Sequence, residues 1–390
     1  MRRIVLIACV CVASVAHVQA QDERPFEEVV AGYVSEGLRS NLSLQSESLQ
    51  VEQAAQALAA ARSRFFPEVA LQARYTRAEG GREFVLPFGA ALNPVYSTLN
   101  EMLSEQGRPA QFSRMSDATV RFMREGEQDT RIVARQVLYA PAIPAAVRAQ
   151  RALLDASNFN RMALARALRR DITIAYVDWL KARHSVEIVA ASEALLRENL
   201  RVNTALFENG KITEDQVLRA RAELLAVEQQ KREIDNLSRQ AQSFFNFLLN
   251  RELTAEIEPS FPPAGPSAGE AALEQLWAAA LDRRPEVNRV ERLRRASEEQ
   301  VRIARQQLWP TLSLAVDGGV QGEDYRAGDG YSFTTASLVF AWRLFDGGGD
   351  RARVRQAQAA ERQLVLRREE LAQQIRLEVQ QAYDRLITAR

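Results

Sequence analysis

Cysteine is almost missing. The 390-residue chain has two, Cys9 and Cys11, both within its first twenty positions. Histidine is as scarce, with His184 alone beyond His17. Without a second histidine or a thiol nearby, neither a zinc site nor a histidine-based acid–base pair has its partners. The chain lacks an excess of either charge: 51 Lys and Arg against 50 Asp and Glu, a formal +1. No basic stripe stands out, which excludes nucleic acid as a partner. After the start of the chain, no stretch reaches the roughly 18 apolar residues of a transmembrane helix. Gly347-Gly348-Gly349-Asp350 lacks the Lys-Ser/Thr ending of a phosphate loop. Glu127 and Asp129, read as loop residues, have no acid–base partner. No catalytic, cofactor-binding or metal site is expected.

What is present begins with an export signal. Arg2 and Arg3 precede a short apolar run over 4–16, and Val18 and Ala20 put small residues at the cleavage positions. The mature chain is expected to begin at Gln21, with formal charge −1 once Arg2 and Arg3 are removed. Leu6-Ile7-Ala8-Cys9 looks like a lipidation box, but the apolar run before Cys9 is shorter than the usual ~7–15 residues, which argues against acylation. Export without a helical anchor leaves a soluble periplasmic protein, a secreted protein or a β-barrel.

Proline and glycine are absent from 145–207. Within that stretch Leu168, Ile172, Ala175, Trp179, Ala182, Val186 and Val189 alternate steps of four and three, a heptad seam that continues through Leu196, Leu200 and Phe207. A helix of about 60 residues is ~90 Å long, which points to a coiled coil or a helical tunnel. Gly210 stops this helix, and Thr213 is placed to cap the next, with Glu214 and Asp215 at its positive end. A second seam follows through Val217, Ala220, Leu224, Val227, Ile234, Ala241, Phe244 and Leu248, with Lys231 and Ser238 as polar positions between. The stretch 145–250 therefore reads as a helical hairpin with its tip at 209–213. A breaker-rich linker follows, Pro259-Ser260-Phe261-Pro262-Pro263-Ala264-Gly265-Pro266. Helix resumes near Gly269 and reopens at Pro285.

Four segments alternate with period two: 68–75, 131–139, 311–316 and 337–344. In the last, Leu338, Phe340, Trp342 and Leu344 share one face and Arg343 lies on the other, the pattern of a lipid-facing barrel strand. Four strands alone leave edges that lipid does not tolerate, so a barrel must close between chains.

The chain also repeats itself. Ala61-Arg62-Ser63-Arg64-Phe65-Phe66-Pro67 aligns with Ala304-Arg305-Gln306-Gln307-Leu308-Trp309-Pro310, each ending a helix and opening a strand. Val137-Leu138-Tyr139-Ala140-Pro141 aligns with Arg343-Leu344-Phe345-Asp346-Gly347, each ending a strand and opening a helix. Ala175-Tyr176 aligns with Ala382-Tyr383 in the helix that follows. The first strand-to-strand loop, 76–130, is much longer than the second, 317–335.

These duplicated junctions, the tip Asn209-Gly210-Lys211-Ile212-Thr213-Glu214-Asp215 and the loop segment 86–100 resemble the TolC family of outer-membrane efflux proteins over nearly the whole mature chain. The resemblance implies an α+β membrane protein. Long antiparallel coiled-coil hairpins would join four strands lent to a trimeric twelve-stranded β-barrel, in two internal repeats. Its implied organisation is a signal peptide at 1–20, N-terminal helices at 21–67, and a strand pair with a long outer loop at 68–140. A tunnel hairpin at 141–250, an equatorial linker at 251–269 and helices at 270–310 follow. A second strand pair at 311–346 and a tunnel helix begun at 347–390 complete it.

The resemblance further implies a homotrimer in the outer membrane of a Gram-negative bacterium. It would be a passive exit duct for efflux or type I secretion, contacting outer-membrane lipid. It would meet a periplasmic adaptor through Asn209, Gly210, Lys211, Ile212, Thr213 and Asp215, and through the adaptor an inner-membrane pump. Pro67, Pro310, Tyr139, Pro141, Phe345, Asp346 and Gly347 mark the barrel-to-helix junctions. The second long helix reaches Arg390 before its own tip, so a returning arm and its gating residues are expected beyond this sequence. The competing readings are a periplasmic adaptor, which needs small β domains around one hairpin, and a secreted coiled coil, which needs no lipid-facing strands.

Overall fold

The computed structural model describes residues 24–261, 272–326 and 328–389. The expected signal segment with Cys9 and Cys11, the linker from Pro262 through Gly269, and Arg390 lie outside the described residues. The chain divides into two compact units.

One unit gathers the chain up to Ala54, Leu154–Leu293 and the chain from Leu366. It holds α1 (Phe26–Ser40) and the start of α2 (Leu42–Ser63). It also holds most of α4 (Ala142–Glu208) and all of α5 (Glu214–Leu248) and α6 (Leu273–Arg283). α4 runs 67 residues because nothing in it breaks a helix after Pro144 in the first turn. It stops where expected: Gly210 has φ +69°, its N–H bonds the Phe207 carbonyl, and the Lys211 N–H bonds that of Leu206, both at 2.8 Å. This double closure satisfies carbonyls a helix end otherwise leaves orphaned. α5 ends the same way with Asn250 in the left-handed conformation, φ +53°. Thr213 occupies the residue before α5 in extended conformation, but its side chain makes no capping bond. Its hydroxyl donates instead to the Asp215 carboxylate.

The first heptad seam is buried at Leu168, Ile172, Ala175, Trp179, Ala182 and Val189, and the second at Ala220 and Leu224. Near the base of α5 the expected register fails. Phe244 is 54% exposed, whereas Phe245 and Leu249 are fully buried. There α5 packs on α1 and on the segment through Ile257 as well as on α4, so its buried arc turns by one residue. Tyr33 meets the Phe245 ring edge-on at 5.0 Å, and Tyr176 lies 5.7 Å from both. A Cβ on Gly37 would sit 2.3 Å from Ile172 Cδ1, so only glycine allows α1 this close to α4. The irregular backbone after α5 is satisfied by two phenols. Tyr176 donates to the Glu258 carbonyl at 2.8 Å and accepts from the Ser260 N–H at 2.9 Å, while Tyr33 accepts from the Glu258 N–H. Burial pushes the Tyr176 phenol up to about 12.

The hairpin carries one polar layer. Glu193 stands on the seam between Val189 and Leu196 and is nearly buried, with Lys231 of α5 at 2.6 Å. Arg197 bonds Glu193 along its own helix and reaches Glu228 across the hairpin at 3.5 Å. Hydrogen bonds from Lys231, then Arg197, hold the Glu193 carboxyl below its ordinary value. A carboxyl depressed by folding adds stability above its unfolded pKa of about 4.3 and loses it as pH falls through the lower folded value. Amide exchange of the intact protein should therefore show the α4–α5 segments around Glu193 and Lys231 loosening below about pH 4. Glu193→Gln should abolish most of that dependence. Equal acid sensitivity in the variant would assign the effect elsewhere.

The other unit comprises Ala55–Leu153 and Arg294–Val365. Its four-stranded antiparallel sheet has the order β1 (Glu68–Arg77), β4 (Gly126–Tyr139), β5 (Thr311–Gly322), β6 (Ser332–Ala341). Each expected strand is present. Elements leave and enter the sheet in the repeated order, with α2 and α7 (Pro285–Gln306) before the strand pairs and α4 and α8 (Gly349–Ala389) after them. The long first loop is not structureless. It folds as a hairpin of β2 (Glu83–Leu86) and β3 (Ala118–Arg121) around α3 (Phe88–Glu105). The side-chain amides of Asn93 and Asn100 mimic a strand, pairing with the backbone of Met115 and of Gln111 and Phe112.

Candidate functional sites: a two-faced sheet and a hairpin tip

Strand register sorts the sheet into two surfaces. In β1, Val69, Leu71, Ala73 and Tyr75 share a face, opposite Ala134, Ile132, Thr130 and Gln128 of β4. The same face continues through Val316, Leu314 and Leu312 of β5 to Ala336, Leu338 and Phe340 of β6. Much of it is open: Val69, Leu71, Ile132, Leu338 and Phe340 are all exposed. A contiguous exposed apolar face of this extent needs a non-aqueous neighbour.

The opposite face is charged. Glu68 lies opposite Arg135, and Arg74 opposite Asp129 at 3.3 Å. Asp129 belongs to β4, not to a loop, and also takes a 2.8 Å bond from Arg131 Nε. Arg131 crosses Gly319 in register and lies over the Phe333 ring at 5.3 Å. A Cβ on Gly319 would press to 2.2 Å from the Thr130 carbonyl, so the missing side chain lets the strands close beneath that arginine.

Exposed aromatic residues stand at both ends of the sheet. Phe66, Trp309 and Trp342 are exposed at its helix-proximal end, and Trp342 Nε1 donates to the Leu308 carbonyl at 3.1 Å. Tyr75 stands exposed toward the loop end, nine residues after Phe66. At ~3.3 Å per residue and a ~40° tilt that spans about 23 Å, close to the ~25 Å apolar band of an outer-membrane barrel.

Pro67 and Pro310 directly precede β1 and β5, Tyr139 is the last residue of β4, and Pro141 directly precedes α4. The second exit is longer than expected. β6 ends at Ala341, so Trp342 and Leu344 of the four-residue lipid-facing row lie beyond the strand, although both are exposed. The ladder stops there because Ala341 pairs with Thr311, and the next partner, Pro310, has no N–H to give. Phe345, Asp346 and Gly347 form the loop into α8, with Gly347 at φ +68° and Gly348 at +92°. Asp346 accepts from the Gly348 N–H and pairs with Arg353 at 2.9 Å. Asp350, nearly buried, bonds Arg353 and lies 3.6 Å from Arg343. Those hydrogen bonds, above all from Arg353, hold the Asp350 carboxyl below its ordinary value. Sequence reading missed this staple; its signal was Asp346, Asp350 and Arg353 at helical spacing.

At the tip, Asn209, Gly210, Lys211, Thr213 and Asp215 are exposed and Ile212 is half-buried. Asn209 bonds the Ala205 carbonyl, and Asp215 lies 3.6 Å from Arg219. The turn is closed by its own chain and presents one cation, Lys211, at its apex. His184 is exposed on α4, with Nδ1 3.3 Å from the Glu187 carboxylate.

A two-faced antiparallel sheet with very long helices following its strand pairs is a fold shared by solved outer-membrane channels. Solved structures with this fold include the outer-membrane channel OprN (TM-score 0.67, 20% identity, covering 90% of this chain and 72% of that one). The Campylobacter jejuni CmeC outer membrane channel follows (0.70, 15%, 88% and 67%), with the Neisseria gonorrhoeae MtrE outer membrane channel (0.64, 15%, 92% and 76%). Residues 276–390 match the model of the outer membrane efflux protein family. Comparison with curated proteins matched none. The chain thus resembles the outer membrane efflux protein family in sequence over 276–390 and shares the fold of solved outer-membrane channels over most of its length.

Proposed function

We propose that three copies of this chain close their sheets into one twelve-stranded barrel in the outer membrane and form the passive exit duct of a tripartite efflux or secretion machine. The observation that carries this is the exposed apolar face on a sheet whose edges, β1 and β6, have no partner strand among the described residues. Lipid tolerates such strands only when every edge is paired. The charged opposite face then lines a water-filled lumen. The helices support the same reading. Ile174, Lys181, Ile188, Leu195 and Val202 form a second, exposed heptad row on α4, which suits packing against a helix of a neighbouring copy. The duct performs no chemistry. Energy comes from an inner-membrane pump, and the tip residues Asn209, Gly210, Lys211, Ile212, Thr213 and Asp215 meet the adaptor that links the two. The adaptor alternative requires small β domains flanking one hairpin and gives no role to an apolar sheet with open edges.

Engineered cysteines test the closure, since the native ones fall in the expected signal segment. Single cysteines along β1 at Val69, Leu71 and Ala73 should be combined with ones along β6 at Ala336, Leu338 and Phe340. At least one pair should give a reducible trimer in outer-membrane fractions. Monomers throughout, in a chain that reaches that membrane, would rule out pairing of β1 with β6 of a neighbour.

A further inference from the structure

The apolar face of β1 ends on a charge. Val69, Leu71, Ala73 and Tyr75 alternate outward, and Arg77 is the next residue of that row. Two strand steps of ~3.3 Å put its backbone about 7 Å beyond the aromatic border, at the depth of lipid headgroups. Arg77 does not stand alone. With Tyr75, Gly126, Arg124 and Arg121 it lines a cavity of about 630 Å³ that Thr119 and Met123 of the neighbouring hairpin also face. Gly126, opposite Arg77 in β4, contributes no side chain, and the Tyr75 hydroxyl lies 3.2 Å from where its Cβ would be.

Arg121 is held by Glu83 at 3.0 Å. Among the described residues, neither Arg77 nor Arg124 has a carboxylate at ion-pair distance. Guanidinium groups present forked donors matched to phosphate oxygens. Glu125 and Glu323 also line the cavity. A free phosphate dianion would meet both carboxylates beside the arginines, with no apolar contact to add to its binding. A phosphate attached to acyl chains has such a contact, because the exposed row from Val69 to Tyr75 descends from the cavity and Met123 lines it.

We propose that this cavity seats the phosphate of an outer-leaflet lipid headgroup on Arg77 and Arg124, with its acyl chains against the β1 face. The site rests on the membrane reading above and adds a lipid ligand to it. The test uses the full-length protein extracted from outer membranes and analysed by native mass spectrometry. The probes are diphosphorylated lipid A, the same lipid after enzymatic dephosphorylation, and inorganic phosphate. The wild type should retain the phosphorylated lipid, and the double variant Arg77→Gln, Arg124→Gln should retain it at least tenfold less. Arg77→Lys, which keeps the charge but loses the fork, should fall between. Loss of phosphate from the lipid should mimic the double variant, and millimolar inorganic phosphate should not displace the lipid. Equal retention by wild type and double variant overturns the site. Complete displacement by inorganic phosphate overturns the lipid in favour of a free anion. Absence of the wild-type chain from the outer-membrane fraction would overturn the membrane reading itself and the site with it.

Discussion

Leu338→Arg should cost about 2–4 kcal/mol of stability per chain in lipid, while Ser337→Arg, one residue away, should cost little. The two side chains leave β6 on opposite faces. Leu338 lies opposite Leu314 on the apolar face, and Ser337 lies opposite Ala315 on the face that carries Arg74, Asp129 and Arg131. Leu338 also stands near the middle of the band, between the aromatic borders, where an arginine cannot easily reach headgroups or water. In the proposed barrel, an arginine at position 337 would face an aqueous lumen beside Arg74, Asp129 and Arg131. Denaturant midpoints of the protein refolded in liposomes measure the difference, and the heat-labile oligomer recovered from outer membranes reports it in cells. Equal tolerance of the two arginines would mean that the apolar face is covered by protein rather than lipid. The barrel would then have to be abandoned despite the fold.

The assignment of faces was legible from sequence because period two is a local property. Val69, Leu71 and Tyr75 announce their row without any knowledge of their partners. The repeat was legible because Pro67 and Pro310 recur at the same transition, and the hairpin tip because Gly210 carries the positive φ that the helix stop requires. What was hidden depends on a second segment. The end of β6 is set by Pro310, thirty-one residues before Ala341 in the chain, through the ladder it cannot continue. Glu193 reads as a gap in a seam until Lys231 arrives from the other helix. Asp129 reads as a loop acid until Arg74 lies across from it. Thr213 stands at the cap position, yet Asp215 takes its hydroxyl, a competition between two nearby acceptors that residue type alone does not decide.

The two phenylalanines near the base of α5 separate these levels most sharply. A heptad count places Phe244 on the seam, but in the fold it is Phe245 that has no exposed surface and meets Tyr33 and Tyr176. Phe245→Ala should therefore destabilise the helical unit by about 3–5 kcal/mol, combining lost transfer energy with a cavity that α1, α4 and the 257–260 segment cannot collapse to fill. Phe244→Ala should cost less than about 1 kcal/mol in the same unit, since its ring touches little of that core. Amide exchange in the full-length protein distinguishes them. For Phe245→Ala, protection should fall in α1 and at the Glu258 and Ser260 amides, whose acceptors are the two phenols that meet the missing ring. A larger loss from Phe244→Ala would mean that the heptad continues unbroken to the base of α5. If Phe244→Ala leaves exchange within the chain intact but weakens the oligomer, its exposed ring belongs to the packing between copies. The step from Phe244 to Phe245 would then mark where α5 buries one side in its own chain and turns the other toward a neighbour.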